Sequence, residues 1–157
     1  MIEQQEILLD DGEMIDARHL NGIDENFYYT IDQVAELMGC SRSLVSQLCI
    51  RKDKGVNPDP RHFSVVTAET KYTALALSKK LNVSVPLICK LRYIGHLEST
   101  PLRHSHRIPG WSVLDYIKTN SSMASNGLFL DSISIGASIR IPGWSVLQYI
   151  SKNCSRL

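Results

Sequence analysis

The chain has 157 residues, 43% hydrophobic and 21% charged, with a net charge of +1; it can bury a core as one ordinary domain or two very small ones and is too apolar for a disordered tail. It has no run of about 18 apolar residues that would span a membrane, and MIEQQEILLDDGE is acidic where a signal peptide would be basic, so the sequence predicts a cytoplasmic protein. Cys40, Cys49, Cys89 and Cys154 form no CxxC pair and fit reduced, buried thiols rather than a disulfide framework or a zinc site.

The near-neutral total hides an asymmetry. Residues 1–26 carry eight acids against Arg18, a balance of −7, whereas 27–120 carry thirteen Lys/Arg against seven acids, or +6, and 121–157 add +2. An acidic arm on a basic body points to a nucleic-acid binder. The arm itself reads as a solvated tail with a short strand or helix near Glu6–Leu9, or as a cover for the basic face.

From residue 27 onward the chain repeats itself. YTIDQVAELMGCSRSLVSQLCI at 29–50 aligns with YTALALSKKLNVSVPLICKLRY at 72–93, an offset of forty-three. Val34, Leu37, Met38, Val45 and Leu48 match Leu77, Lys80, Leu81, Ile88 and Leu91, with only Lys80 out of class. The first copy predicts a helix over 31–38, ended by Gly39, which takes the left-handed conformation easily; Asn82 is its counterpart. Ser41 and Ser84 stand where a second helix needs an N-cap, and Pro86 follows inside the first turn, where a missing amide costs little. Small Ala35 and Ser78 fall where the two helices cross. This is helix-turn-helix spacing.

A second repeat follows. RIPGWSVLDYIKTN at 107–120 returns as RIPGWSVLQYISKN at 140–153, identical at eleven of fourteen positions, and Leu97-Glu98-Ser99 falls on Leu130-Asp131-Ser132. LESTPLRHSH ahead of the first copy reads as a hairpin, and WSVLDYIK as a short amphipathic helix. Trp111 and Trp144 are expected as core anchors. The predicted segments are 1–26, 27–69, 70–121 and 122–157.

Helix-turn-helix, wing, R-I-P strand and closing L-x-Y-I helix together resemble the excisionase and MerR-like winged-helix family, and within it TraN-like DNA-binding proteins of Gram-positive conjugative plasmids. The resemblance covers 27–157. It implies a mainly α fold with small β-hairpin wings (α+β), holding two winged helix-turn-helix modules in one chain. It implies binding of double-stranded DNA near a transfer origin or promoter, in company with other transfer or recombination proteins. Regulation of another mobile element, or a winged-helix interaction module without specific DNA binding, are the alternatives. The first helix pair lacks an R-I-P unit and the last R-I-P unit lacks a helix pair. Either RHFSVV is a degenerate first wing and the C-terminal unit a cap, or the C-terminal wing completes the first module as an internal pseudo-dimer, a monomer whose DNA site would be imperfectly palindromic.

Outward positions on the second helices supply the expected base contacts: Arg42, Ser43, Ser46 and Gln47 on the first, Val85, Pro86 and Lys90 on the second. Arginine suits guanine and glutamine suits adenine, while Val85 and Pro86 suit a thymine methyl. Thr30, Ser41 and Ser84 at helix N-termini, with Arg51, Lys52, Arg61, Lys79, Lys80, Arg92, Tyr93, Arg103, His104, His106 and Arg107, are the expected backbone contacts. His62 is paired with Arg61 in that role. No cofactor or metal is expected; His104-x-His106 lacks a nearby carboxylate or thiol ligand. No phosphate-binding glycine loop, HExxH or nucleophile elbow occurs, so no enzyme is predicted.

Overall fold

A computed structural model of the chain describes residues 22–49, 55, 58–122 and 124–153, and the backbone of two short strands before them. Among the described residues the architecture is α+β, with six α-helices and two three-stranded antiparallel sheets. Strands β1 (Glu6–Leu8) and β2 (Met14–Asp16) pair with each other, so the stretch around Glu6–Leu9 holds a strand. There follow β3 (Tyr28–Tyr29), α1 (Ile31–Met38) and α2 (Arg42–Leu48); then β4 (Lys71–Tyr72), α3 (Ala74–Leu81), α4 (Val85–Tyr93), β5 (Thr100–Leu102), β6 (Ser105–Pro109) and α5 (Gly110–Asn120); and last β7 (Ile133–Ile135), β8 (Ser138–Pro142) and α6 (Gly143–Asn153).

Local chemistry accounts for the helix pairs. Thr30 and Thr73 cap α1 and α3, and Ser41 and Ser84 cap α2 and α4, each side-chain oxygen accepting an amide of the first turn. Gly39 (φ 68°) and Asn82 (φ 54°) end the first helix of each pair in the left-handed conformation, which glycine adopts freely and asparagine tolerates. The next residue then turns back, Cys40 N–H to Ala35 O and Val83 N–H to Ser78 O, both at 3.0 Å.

The sheets join parts that are distant in sequence. In the second unit β4, in front of α3, pairs with β6 of the following hairpin. In the first unit β3, in front of α1, pairs with β8 near the C-terminus. The junctions repeat bond for bond: Leu97 N–H reaches Leu91 O at 3.2 Å, and Leu130 N–H reaches Leu48 O at 2.9 Å. The first unit is therefore made of 24–49 and 130–153, with the second unit between its halves. Residues 60–64, inside the segment weighed as a wing, form a 3-10 turn.

The R-I-P-G-W-S string is explained by what closes each unit. A turn before the first strand, 24–27 or 67–70, presents carbonyls to the last helix: Phe27 O and Glu25 O accept from Gly143 and Trp144, and Thr70 O and Ala68 O accept from Gly110 and Trp111. Neither helix then needs a side-chain cap at those amides. A Cβ at Gly143 would run into the carbonyl oxygen of Asp24, and one at Gly110 into that of Thr67. The serines reach back fourteen residues: Ser145 accepts the Asp131 amide at 2.7 Å, and Ser112 that of Glu98 at 2.9 Å. The turns are locked by tyrosine hydroxyls, Tyr29 accepting from Asp24 N–H and Tyr72 from Thr67 N–H, both at 2.8 Å. Tyr29→Phe and Tyr72→Phe should each cost about 1 kcal/mol, seen as matching drops in urea midpoint.

Two cores result. One is built from Val34, Met38, Val45, Leu130, Ile141, Val146 and Ile150 of the first unit. The other holds Leu77, Ile88, Leu91, Ile108, Val113 and Ile117 of the second unit, with Tyr28, Ile133 and Ile135 donated by the first. The donation runs one way. Tyr28 is buried while its counterpart Lys71 is exposed, and β7 is buried while Thr100 and Leu102 of β5 face solvent. Burial pushes the Tyr28 hydroxyl's pKa up.

Trp111 is not the expected core anchor, since it is 50% exposed. Trp144 is half-buried, and what packs on it is the 3-10 turn. Cys49 is buried, but Cys40 and Cys89 only half so.

Candidate nucleic-acid interface

The second unit concentrates positive charge. Residues 71–120 carry eight Lys/Arg against Glu98 and Asp115, whereas 24–49 and 130–153 together carry three against five acids. Pro86, Lys90 and Tyr93 are exposed on α4, Tyr93 by 87%, while Val85 and Arg92 are half-buried. Lys79 and Lys80 are exposed at the end of α3, and the Lys80 ammonium lies 5.9 Å from the Tyr72 ring centre.

The β5–β6 hairpin projects from this unit, with every residue from Thr100 to His106 exposed. Arg103 (φ 55°) and His104 form its two-residue loop. A positive φ at the first loop position suits the twist of a tight hairpin. Arg107 is half-buried and bonds the Ser105 hydroxyl at 2.8 Å. The structure thus brings Arg103, His104 and His106 together on one open hairpin.

The matching β7–β8 hairpin is engaged with the second unit, although Gly136 and Ala137 at its tip are exposed. Its loop residue Gly136 takes an N–H bond to the Tyr116 hydroxyl at 2.9 Å, and a Cβ there would stand 2.9 Å from Leu87 Cδ1. Arg140 donates to Asn82 O at 2.6 Å, its pKa lowered by burial. Asn82 in turn donates to Gln33 at 3.0 Å. This hairpin is the joint between the units.

On the first unit, Arg42, Ser43 and Gln47 are exposed along α2, and Ser46 is half-buried. Arg42 pairs with Asp32 at 2.8 Å, both side chains more than 70% exposed. Such a pair is worth at most about 1 kcal/mol, so the guanidinium is readily surrendered to another acceptor. Thr30, Ser41 and Ser84 each spend an oxygen lone pair on their caps. Arg51 and Lys52 lie outside the described residues.

Arg61 and His62 take a different part from the one expected. Arg61 makes two side-chain bonds to Asp59, at 3.1 and 2.8 Å, donates to Gln148 at 2.8 Å, and lies 4.1 Å from the Trp144 ring centre. Those Asp59 bonds raise its pKa. Burial works against the Asp59 charge, but the Arg61 hydrogen bonds outweigh it and hold the carboxyl below its usual range. His62 is wholly buried, edge-on to Trp144 at 5.0 Å, with neither ring nitrogen hydrogen-bonded. It cannot reach a phosphate from there, and burial lowers its pKa to about 4.

One signal for this cluster stood in the sequence. Asp59-x-Arg61-His62 matches Asp16-x-Arg18-His19 at the same offset of forty-three, carrying the first repeat upstream of residue 27. What this four-residue string packs against, a tryptophan of the other unit, has no sequence signature.

Comparison of the chain with family models, with curated proteins and with solved structures gives no match. No helix among the described residues is long and apolar enough to cross a membrane.

Proposed function

We propose that the protein binds double-stranded DNA, with the second unit as its principal reader. The helix pair α3–α4 acts as a helix-turn-helix and β5–β6 as its wing, and the first unit is a second winged module whose wing has become a joint. One observation carries this reading: the positive charge gathers on the unit that also has the open hairpin. Pro86 and Lys90 meet base edges, with Val85 at the helix start. Lys79, Lys80, Tyr93, Arg103, His104 and His106 meet the backbone. Arg42, Ser43 and Gln47 provide a second contact from α2. The modules form an internal dimer of unlike faces, so the protein calls for no dyad in its DNA site. A role in plasmid transfer rests on the family resemblance of the R-I-P and helix-turn-helix strings.

The test is selection of bound duplexes from a random library at about 150 mM salt, followed by fluorescence anisotropy on the winner. A motif without dyad symmetry, preferred by about 10³ or more over a scrambled duplex, is expected. Lys90→Ala should weaken the winner at least 10-fold and relax preference at one position. Arg103→Ala should reduce the salt slope by about 1 for all sequences alike. Absence of any motif, with affinity collapsing as salt rises, overturns the reading.

A further inference from the structure

The two tryptophans of the repeated string are chemically identical and differently treated. Trp144 is covered by the Asp59–His62 segment: His62 meets the ring edge and Arg61 lies over it, while Arg61 also reaches Gln148. Trp111, thirty-three residues earlier, is half exposed at the matching place. The position matching Gln148 is Asp115, also exposed. The chain owns a second copy of the covering segment, Asp16-x-Arg18-His19. Within one molecule, the covering segment belongs to the second unit and the covered tryptophan to the first. Continued once more in the same sense, the segment leading into a first unit covers the tryptophan of another molecule's second unit.

We propose that Trp111 and Asp115 form a docking site for residues 16–19 of a second copy of this chain. Arg18 stacks on the indole and pairs with the Asp115 carboxylate, where Arg61 has only the neutral amide of Gln148. His19 meets the ring edge as His62 does. Charge complementarity therefore favours this contact over its intramolecular template, because an Arg18–Asp115 pair joins two opposite charges and can be bidentate, whereas Arg61 meets a neutral amide at Gln148. The association is head-to-tail: each molecule offers one segment and one tryptophan, through different faces. The patch is small, below the area of a standard stable interface, so the complex forms only at high micromolar concentration or where another ligand brings copies together.

Sedimentation velocity of the full chain, from about 1 μM to about 1 mM, reads this directly. The wild type is expected to gain mass with concentration, and Trp111→Ala and the double variant Arg18→Ala, His19→Ala are each expected to remain monomeric. Because each variant keeps the half the other lacks, their equimolar mixture should form a dimer that grows no further. Asp115→Asn should weaken association at least 10-fold, and the exchange Asp115→Arg with Arg18→Asp should associate more tightly than either single charge reversal, though less tightly than the wild type because the stacking of Arg18 is lost. Trp111 is half exposed, so its loss leaves the fold intact, which thermal unfolding checks; the Arg18, His19 variant tests the site without touching the helix. A wild type that stays monomeric, an association that survives either variant, or a mixture that stays monomeric overturns the proposal.

Discussion

Gly143→Ala is expected to destabilise the protein by about 3 kcal/mol, at the upper end of the cost of forcing atoms into a packed site, and Gly110→Ala by a similar amount. Alanine at a helical position ordinarily gains up to about 1 kcal/mol over glycine, so the sign decides the matter. At both positions the added methyl meets a backbone carbonyl, of Asp24 or Thr67, and that backbone is held by a tyrosine hydroxyl and by the helix amides it accepts. The obstacle cannot swing aside as a side chain would. Gly22, with nothing within 4 Å of its Cβ position, is the control, and Gly22→Ala should stay within about 0.5 kcal/mol of the wild type. Urea unfolding followed by circular dichroism measures all three. A Gly143→Ala variant as stable as the wild type would mean that the turn does not clamp α6.

Acid should reveal two opposed titrations beside Trp144. Burial lowers the His62 pKa from 6.5 to about 4, so between those values the unfolded chain binds a proton that the folded one refuses, and stability falls as pH falls. Burial raises the Asp131 carboxyl from 3.8 to about 6, even though the Ser125 amide and hydroxyl donate to it. Between those values the folded chain holds the extra proton, and stability falls as pH rises. Each window is worth at most about 3 kcal/mol, and over pH 4 to 6 the two nearly cancel. Asp59 and Arg61 face both groups and stay charged throughout that range. The wild type should therefore be nearly flat from pH 6 to 4 in urea midpoint. Asp131→Asn should expose the His62 slope, losing stability as pH drops from 6.5. His62→Phe should expose the opposite slope, losing stability as pH rises toward 6. Parallel profiles for the two variants would show that the groups do not titrate as their burial dictates.

Much of the fold was legible in the sequence because its signals are local. Thr30, Ser41 and Ser84 announce caps through the oxygen they offer, and Gly39 and Asn82 announce turns through the conformation they permit. The pairing of β3 with β8 was visible only as a missing partner: a helix pair without a wing and a wing without a helix pair. Which faces would meet was not legible. Nothing in the spacing of Ile133 and Ile135 in SISIGASIR says that their face enters the other unit's core. His62 looked like a surface cation because composition carries no information on burial, and Arg61, which does stay exposed, gave no sign that it would be tied to Asp59, Gln148 and Trp144. Trp111 and Trp144 sit in identical strings and differ only in what the rest of the chain places over them.

The nesting of one unit inside the other also has a consequence for synthesis. The strands and helices of the second unit are contiguous and have all emerged by residue 120, although Ile133 and Ile135 join its core later, and its helix-to-hairpin junction closes between Leu91 and Leu97. The same junction in the first unit joins Leu48 to Leu130 and waits until residues 130–153 have been made. Closing that larger ring on an unfolded chain costs about 2 to 3 kcal/mol more, a penalty that a folded second unit removes by bringing the ends together. The growing polypeptide thus folds from its middle outward. Until residues 138–153 arrive, α1 and α2 carry Val34, Met38 and Val45 without the strand and helix that bury them, and this is the stage at which a nascent chain is most exposed to aggregation.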